Sequence, residues 1–175
     1  MIIGIFSDTH DNKINIAKAY DIFKERGVEK AYFCGDLVSP FTLNYLKDWP
    51  FAIKAVFGNN EGDKWGIQRR FEKYHITNIE YAEKSGLVFK EEIEGQKIAV
   101  FHGHSEEITE ALIDSQKYDL VCTGHTHQPH IKKIGKTIWI NPGSVTGISE
   151  DPSVKNGSVA IYNSETKEAE IIYIQ

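Results

Sequence analysis

Met1-Ile2-Ile3-Gly4-Ile5-Phe6-Ser7-Asp8-Thr9-His10 runs a short apolar segment straight into a triplet rich in polar donors. Ile2–Phe6 reads as a buried strand and Ser7–Asn12 as the loop that leaves it. Asn12 is a plausible helix N-cap. Behind it Ile16, Ala19, Tyr20 and Phe23 recur at helical spacing until Gly27 stops the pattern. Lys30–Cys34 is a second apolar strand. Pro40 then opens a helical stretch over Phe41–Lys47, with Pro50 just beyond it, and Phe51–Phe57 is a third strand ending at Gly58. Strand, helix, strand, helix, strand within sixty residues argues for parallel βαβ units.

Further along, Asp63–Tyr74 is amphipathic and helical despite Gly66. Leu87–Ile93 and Lys97–Phe101 flank Glu94-Gly95-Gln96 as a hairpin. Ser105 is a candidate N-cap for a helix reaching Ser115, with Glu106 and Glu107 in the first turn. Leu120–Thr123 is another short strand. Two antiparallel hairpins close the chain, His130–Ile134 with Thr137–Asn141 and Gly157–Asn163 with Glu168–Ile174. The polar stretch Gly147–Asn156 reads as a surface loop near the site. No internal repeat, low-complexity tract or linker interrupts the pattern, so residues 1–175 are expected to form a single α/β domain.

Composition narrows the function classes. A net charge of −5 argues against a broad nucleic-acid surface, and a stable nucleic-acid complex is not expected. No run approaches the roughly 18–20 apolar residues of a membrane span. The N-terminal run lacks the basic region and the length of a signal peptide, so a cytoplasmic protein is expected. Cys34 and Cys122 each lie inside an apolar run without a CxxC partner, as reduced, buried residues do.

The donors themselves recur in Gly-punctuated clusters, each just after an apolar run: Asp8-Thr9-His10, Gly35-Asp36, Gly58-Asn59-Asn60-Glu61, His102-Gly103-His104 and Gly124-His125-Thr126-His127. In extended geometry Asp8 and His10 point to the same side, as do His125 and His127. Taken singly, each Asp or His has an ordinary alternative as a turn former, a cap or a solvated side chain. Taken together, several carboxylates and imidazoles buried at strand ends without a cation would be costly. Imidazole, carboxylate and amide oxygen suit Mn²⁺, Fe, Ni²⁺ or Zn²⁺ better than Ca²⁺. Seven donors exceed one tetrahedral Zn²⁺, and two ions sharing a carboxylate would use them all.

This ordered set, beginning Ser7-Asp8-Thr9-His10, resembles the calcineurin-like metallophosphoesterases. Ile140-Asn141-Pro142-Gly143-Ser144 is similar to the small bacterial and archaeal phosphodiesterase subgroup of that superfamily. The resemblance covers essentially the whole chain. It implies a four-layer α-β-β-α sandwich of two mixed sheets flanked by helices, with metals at the strand C-termini. It further implies that Asp8, His10 and His127 hold one divalent ion and Asn59, His102 and His125 a second. Asp36 would bridge the two, as would a water or hydroxide that attacks phosphorus. Mn²⁺ heads the candidates, followed by Ni²⁺, Fe, Zn²⁺, Co²⁺ and Mg²⁺. His104 would contact a phosphate oxygen.

One position departs from the pattern. Many superfamily members place His where this chain has Asn60, and Asn cannot protonate a leaving group near neutral pH. A modest phosphodiesterase of small substrates with good leaving groups is therefore expected, with Asp36, Asn59, Asn60 and His104 at the reacting centre. Alternatives are a phosphomonoesterase or nucleotide hydrolase with the same metals, or a protein-binding scaffold of the retromer-subunit type; seven intact ligand positions favour catalysis. Glu61 reads either as an orienting group or as a helix-start acid, and Asn141 either as a partner of a ligand histidine or substrate or as a turn former. His75, His130 and the three Trp residues need no role beyond surface or packing positions. A homodimer or homotetramer is compatible with the sequence.

Overall fold

In the computed structural model, which describes residues 1–82, 86–149, 151–154 and 156–175, two mixed β-sheets pack face to face between helices. Of the expected 147–156 loop, positions 150 and 155 lie outside the described residues. The first sheet has the order β11-β10-β1-β2-β3-β4. Its strands are β1 (Ile2–Phe6), β2 (Lys30–Phe33), β3 (Ala52–Ala55), β4 (Ile79–Tyr81), β10 (Ser158–Asn163) and β11 (Glu168–Tyr173). β1 to β4 run parallel, while β10 and β11 are antiparallel additions on the β1 side. The second sheet has the order β5-β6-β7-β9-β8, built from β5 (Val88–Ile93), β6 (Gln96–Phe101), β7 (Leu120–Cys122), β8 (His130–Ile134) and β9 (Thr137–Asn141). Here β6, β7 and β9 are parallel, and β5 and β8 pair antiparallel at the edges.

Alternation along the strands sorts side chains into layers. Ile3, Ile5, Tyr32, Cys34 and Val56 meet Ile98, Val100, Leu120, Cys122 and Ile140 between the sheets. On the other face of the first sheet Phe6, Ala31, Phe33 and Ile53 pack against Ile16, Ala19 and Phe23 of α1 (Lys13–Glu25) and Ile67 of α2 (Lys64–Tyr74). On the outer face of the second sheet Ala99 and Val121 meet Ile113 of α3 (Glu106–Asp114), with Trp139 packed alongside. These are the four layers the resemblance implied. Burying each large apolar side chain contributes roughly 1.5–3 kcal/mol.

The helix caps fall where the side chains predict. Asn12, Asp63 and Ser105 each accept a backbone N–H from the first turn of α1, α2 and α3. The Glu94-Gly95 turn closes β5 onto β6 with both residues at positive φ, the geometry of a two-residue type I′ hairpin, so Gln96 belongs to the strand. Two elements differ from expectation. Pro40–Tyr45 is a 3₁₀ turn rather than a longer helix; Ser39 caps it, and six residues are too few to propagate an α-helix. β4 is only three residues long and has no alternating pattern to reveal it; pairing with β3 defines it. Cys34 and Cys122 are both free thiols and fully buried. No helix among the described residues is long and apolar enough to cross a membrane.

Candidate metal centre

The parallel strands β1, β2 and β3 all leave the first sheet at one edge, and their loops deliver Asp8, Asp36 and Asn59. β6 and β7 leave the second sheet at the same end and deliver His102, His125 and His127. The loops are laced by main-chain bonds. Asp8 N–H donates to the Gly35 carbonyl, Thr9 N–H to that of Asp36, and Gly124 N–H to that of His102.

Asp8 and Asp36 are 0% and 1% exposed, so two carboxylates sit side by side out of water. Asp8 Oδ2 accepts the His125 N–H, whereas Oδ1 has no hydrogen-bond partner among the described residues. That orphan oxygen faces His127 Nε2 at 3.2 Å and His10 Nε2 at 3.8 Å. His10 Nε2 is likewise buried and unpartnered, 3.6 Å from Asp36 Oδ2. Both Asp36 oxygens are engaged by Asn60, Oδ1 by its backbone N–H at 2.9 Å and Oδ2 by its side-chain amide at 2.8 Å.

Two histidines have their tautomer set from behind. The Nδ1 of His102 lies 2.7 Å from the Cys34 carbonyl, and that of His127 against the Ile148 carbonyl. A carbonyl can only accept, so each Nδ1 carries a proton and each neutral ring turns the bare Nε2 lone pair into the centre. There His102 Nε2 meets Asn59 Oδ1 at 2.8 Å and Asp36 Oδ1 at 3.4 Å, acceptors facing an acceptor. Such an arrangement demands positive charge. Burial opposes a proton on His102 and on His127, yet the Asp8 and Asp36 carboxylates outweigh it and raise both pKa values. Burial would likewise push Asp36 up, but bonds from His102 and Asn60 hold it well below the usual carboxylate range.

Two groups of donors converge closely enough to share an ion: Asp8 with His10 and His127, and Asp8 with Asp36 and His102. The first matches the set implied from sequence, and Asp8 is common to both. His125 is exposed, its ring 5.2 Å from that of His102; burial and the His102 charge lower its pKa. His104 is also exposed, 5.6 Å from the His102 ring, and its pKa too is lowered by burial first and then by His102. The expectation that Asp8 with His10, and His125 with His127, share faces of extended segments is corrected. All four have φ between 38° and 68°, in the left-handed region, so neither segment is extended: Asp8 and His10 still converge on one donor group, whereas His127 turns toward Asp8 and His125 toward His102.

A sequence model of the calcineurin-like phosphoesterase superfamily domain matches residues 1–167. The chain belongs to that superfamily. Within it, a phosphodiesterase of Methanocaldococcus jannaschii is 35% identical over 147 residues, 84% of this chain and 86% of that protein. A solved archaeal phosphodiesterase superposes with a TM-score of 0.85 at 33% identity, covering 99% of each chain. A Vps29 variant of Entamoeba histolytica, 17% identical with a TM-score of 0.66 and 100% coverage of both chains, shares the fold. Membership of a metallophosphoesterase superfamily implies divalent metal ions, and the donor set described above fits them.

Around this superfamily centre several residues act as braces. Glu61, half-buried, accepts the backbone N–H groups of Leu37, Val38 and Gly58, so it ties the Asp36 loop to the Asn59 loop. Burial raises its pKa in spite of those three donors. This is the orienting role, not the helix-start role, which Asp63 fills. Asn141 is the turn former, its Oδ1 accepting the Gly143 N–H; its Nδ2 reaches no ligand histidine but donates to the Gly124 carbonyl and to Thr126 Oγ1, the residues that flank His125. Ser144 Oγ donates to the Asp8 carbonyl, a brace not recognised from sequence although Asn-Pro-Gly-Ser flagged the segment. His75 terminates α2 in left-handed conformation, and His130 packs edge-on against Trp139 with ring centroids 4.3 Å apart.

Asn141→Ala should therefore loosen the loop carrying His125 and His127 without touching a donor. A loss of about 10–100-fold in metal affinity is expected, measured by Mn²⁺ titration calorimetry. Unchanged affinity would make Asn141 a turn former alone.

Proposed function

We propose that the chain is a binuclear metal-dependent phosphodiesterase acting on small phosphodiesters in the cytoplasm. One observation carries this reading. Two buried carboxylates, an orphan oxygen among theirs, converge with histidines whose bare Nε2 atoms are aimed at them by main-chain carbonyls. The similarity to archaeal phosphodiesterases supports the diester as the substrate class.

Asp8, His10 and His127 would hold one ion, Asn59, His102 and His125 the other, with Asp36 between them; Mn²⁺ leads the candidates. When bound, the ions supply a lowered pKa for water and charge neutralisation at the phosphate. The protein's own contribution is positioning. Asn60 pins both Asp36 oxygens, and Glu61 fixes the loops that carry Asp36 and Asn59. His104, exposed beside His102 and His125, would contact a phosphate oxygen.

No imidazole stands ready to protonate the departing oxygen. Asn60 has no acidic proton and is already committed to Asp36, and burial, then His102 and His125, lower the His104 pKa, which disfavours its protonated form. A missing general acid forfeits about 10²–10⁴-fold for a poor leaving group. An aryl phosphodiester should thus be hydrolysed at least about 100-fold faster than an alkyl diester of similar size, and comparable rates would count against the assignment.

The direct test is nitrophenol release from bis(p-nitrophenyl) phosphate with added Mn²⁺. Absence of turnover with Mn²⁺, Ni²⁺, Mg²⁺ and Co²⁺, in a protein shown to bind them, would instead favour a binding scaffold.

A further inference from the structure

Among the described residues, the non-glycine positions with left-handed backbone carry Asp, His, Glu, Gln or Lys, with one β-branched exception, Val38 at φ 76°. Branching at Cβ crowds the main chain in that region, so valine opposes it more strongly than Asp or His does. Asp36, two residues earlier, is left-handed as well, at φ 61°. A strained turn thus directly follows the carboxylate that lies between the two donor sets.

What holds Val38 there is the loop that follows Asn59. The φ angle of Val38 is the twist between two peptide planes, one carrying its N–H and the next carrying its carbonyl. Glu61 Oε2 accepts the Val38 N–H at 3.0 Å, and Oε1 accepts the Leu37 N–H at 3.2 Å. On the other plane, the Val38 carbonyl accepts the Gly62 N–H at 3.1 Å, and the Ser39 N–H donates to Asp11 Oδ1 at 3.0 Å. Both planes are gripped, the first by a carboxylate and the second by the residue beside it in sequence. Glu61 Oε1 also accepts the Gly58 N–H at 3.2 Å, so three backbone donors converge on its two oxygens.

We propose that Glu61 is a positioning residue that acts through Val38. Its carboxylate holds valine in a conformation the side chain opposes, and the held turn keeps Asp36 against Asn60 and the histidines; this rests on the bridging role proposed for Asp36. Released from Glu61, Val38 relaxes to negative φ, the Leu37–Val38 peptide turns, and the Asp36 carboxylate is drawn off its partners. Glycine takes positive φ without steric cost, so with glycine at position 38 the Glu61 grip becomes dispensable. A plain tie between two loops, indifferent to the strain, gives the opposite expectation. Its removal costs the same whichever residue stands at 38.

The test is a double-mutant cycle of Glu61→Gln and Val38→Gly, read by Mn²⁺ calorimetry and by the Tm of the metal-free protein. Gln keeps the shape of Glu but turns one acceptor into an NH₂ that faces backbone donors. Glu61→Gln is expected to weaken Mn²⁺ binding by about 10–100-fold and to lower Tm. Val38→Gly alone should bind Mn²⁺ as wild type does. In Glu61→Gln/Val38→Gly most of the lost affinity should return, and the Tm cost of Glu61→Gln should be smaller on the glycine background. Wild-type affinity in Glu61→Gln, or a double variant that binds no better than Glu61→Gln, overturns the proposal. If Glu61→Gln does not fold, a folded double variant supports the proposal and an unfolded one overturns it. Wild-type protein that binds Mn²⁺ yet hydrolyses no ester sinks the phosphodiesterase reading and leaves this one standing, whereas protein that binds no divalent ion sinks both.

Discussion

Asp36→Asn is expected to lower kcat on bis(p-nitrophenyl) phosphate by about 10³-fold or more while the protein remains folded. The shape of the side chain is kept. Its Oδ1 can still accept the Asn60 N–H, and a turned Asn60 amide can pair with the new one. What goes is the charge that His10 and His102 approach from opposite sides, at 3.6 Å and 3.4 Å. A neutral amide oxygen cannot hold two cations at short separation, so the substitution should also reduce Mn²⁺ stoichiometry in calorimetry from two to one or none. The thermal stabilisation expected of saturating Mn²⁺ in the wild-type protein, about 2.7 kcal/mol at a hundred times Kd, should shrink accordingly. Wild-type kcat in this variant would sink the assignment of Asp36. Lost turnover with both ions still bound would place Asp36 in the chemistry rather than in metal retention.

The layers and the donors of this protein are legible in its sequence to different depths. Apolar runs such as Ile2–Phe6 and Lys30–Phe33 announce strands because both faces of each sheet are covered, and Asn12 and Ser105 announce helices because capping is local chemistry. β4 is silent because three residues leave no period to read; its identity is a property of β3. At the centre, residue types are legible but directions are not. Asp8, His10, His125 and His127 take left-handed backbone conformations that only the surrounding main-chain bonds enforce, so a spacing argument based on extended chain misplaces His125 relative to His127, while Asp8 and His10 meet for another reason than the one it gives. The carbonyls of Cys34 and Ile148 that set the histidine tautomers are invisible for a simpler reason: every residue has one. Glu61 and Asn141 lie between these cases. Each carried two readings, and only its partners decide: backbone N–H groups of two loops for Glu61, and Gly143, Gly124 and Thr126 rather than a ligand histidine for Asn141.

Gly58→Ala should be as damaging as removing a donor, although it removes none. A Cβ at Gly58 would lie 1.9 Å from Asp36 Oδ1 and 2.6 Å from the Asp36 backbone nitrogen. The carboxylate could swing away, but the nitrogen belongs to a loop held by Glu61 on one side and by Thr9 and His10 on the other. Relief therefore requires the β2 and β3 loops to separate, and Asp36 moves with them. Misplacing such a group by about 1 Å costs on the order of 10²-fold in rate. Overpacking adds about 1–3 kcal/mol of destabilisation, a fall in Tm of several degrees for a chain of this length. Gly62→Ala, four residues on, is the control, because a Cβ there meets only the Val38 carbonyl oxygen at 3.4 Å. Comparing kcat and Mn²⁺ affinity in the two alanine variants separates a crowded centre from a general intolerance of the loop. If Gly58→Ala stays within about twofold of Gly62→Ala on both measures, Asp36 can reach its place without the close approach of these two loops, and the geometry argued for the bridging carboxylate is wrong.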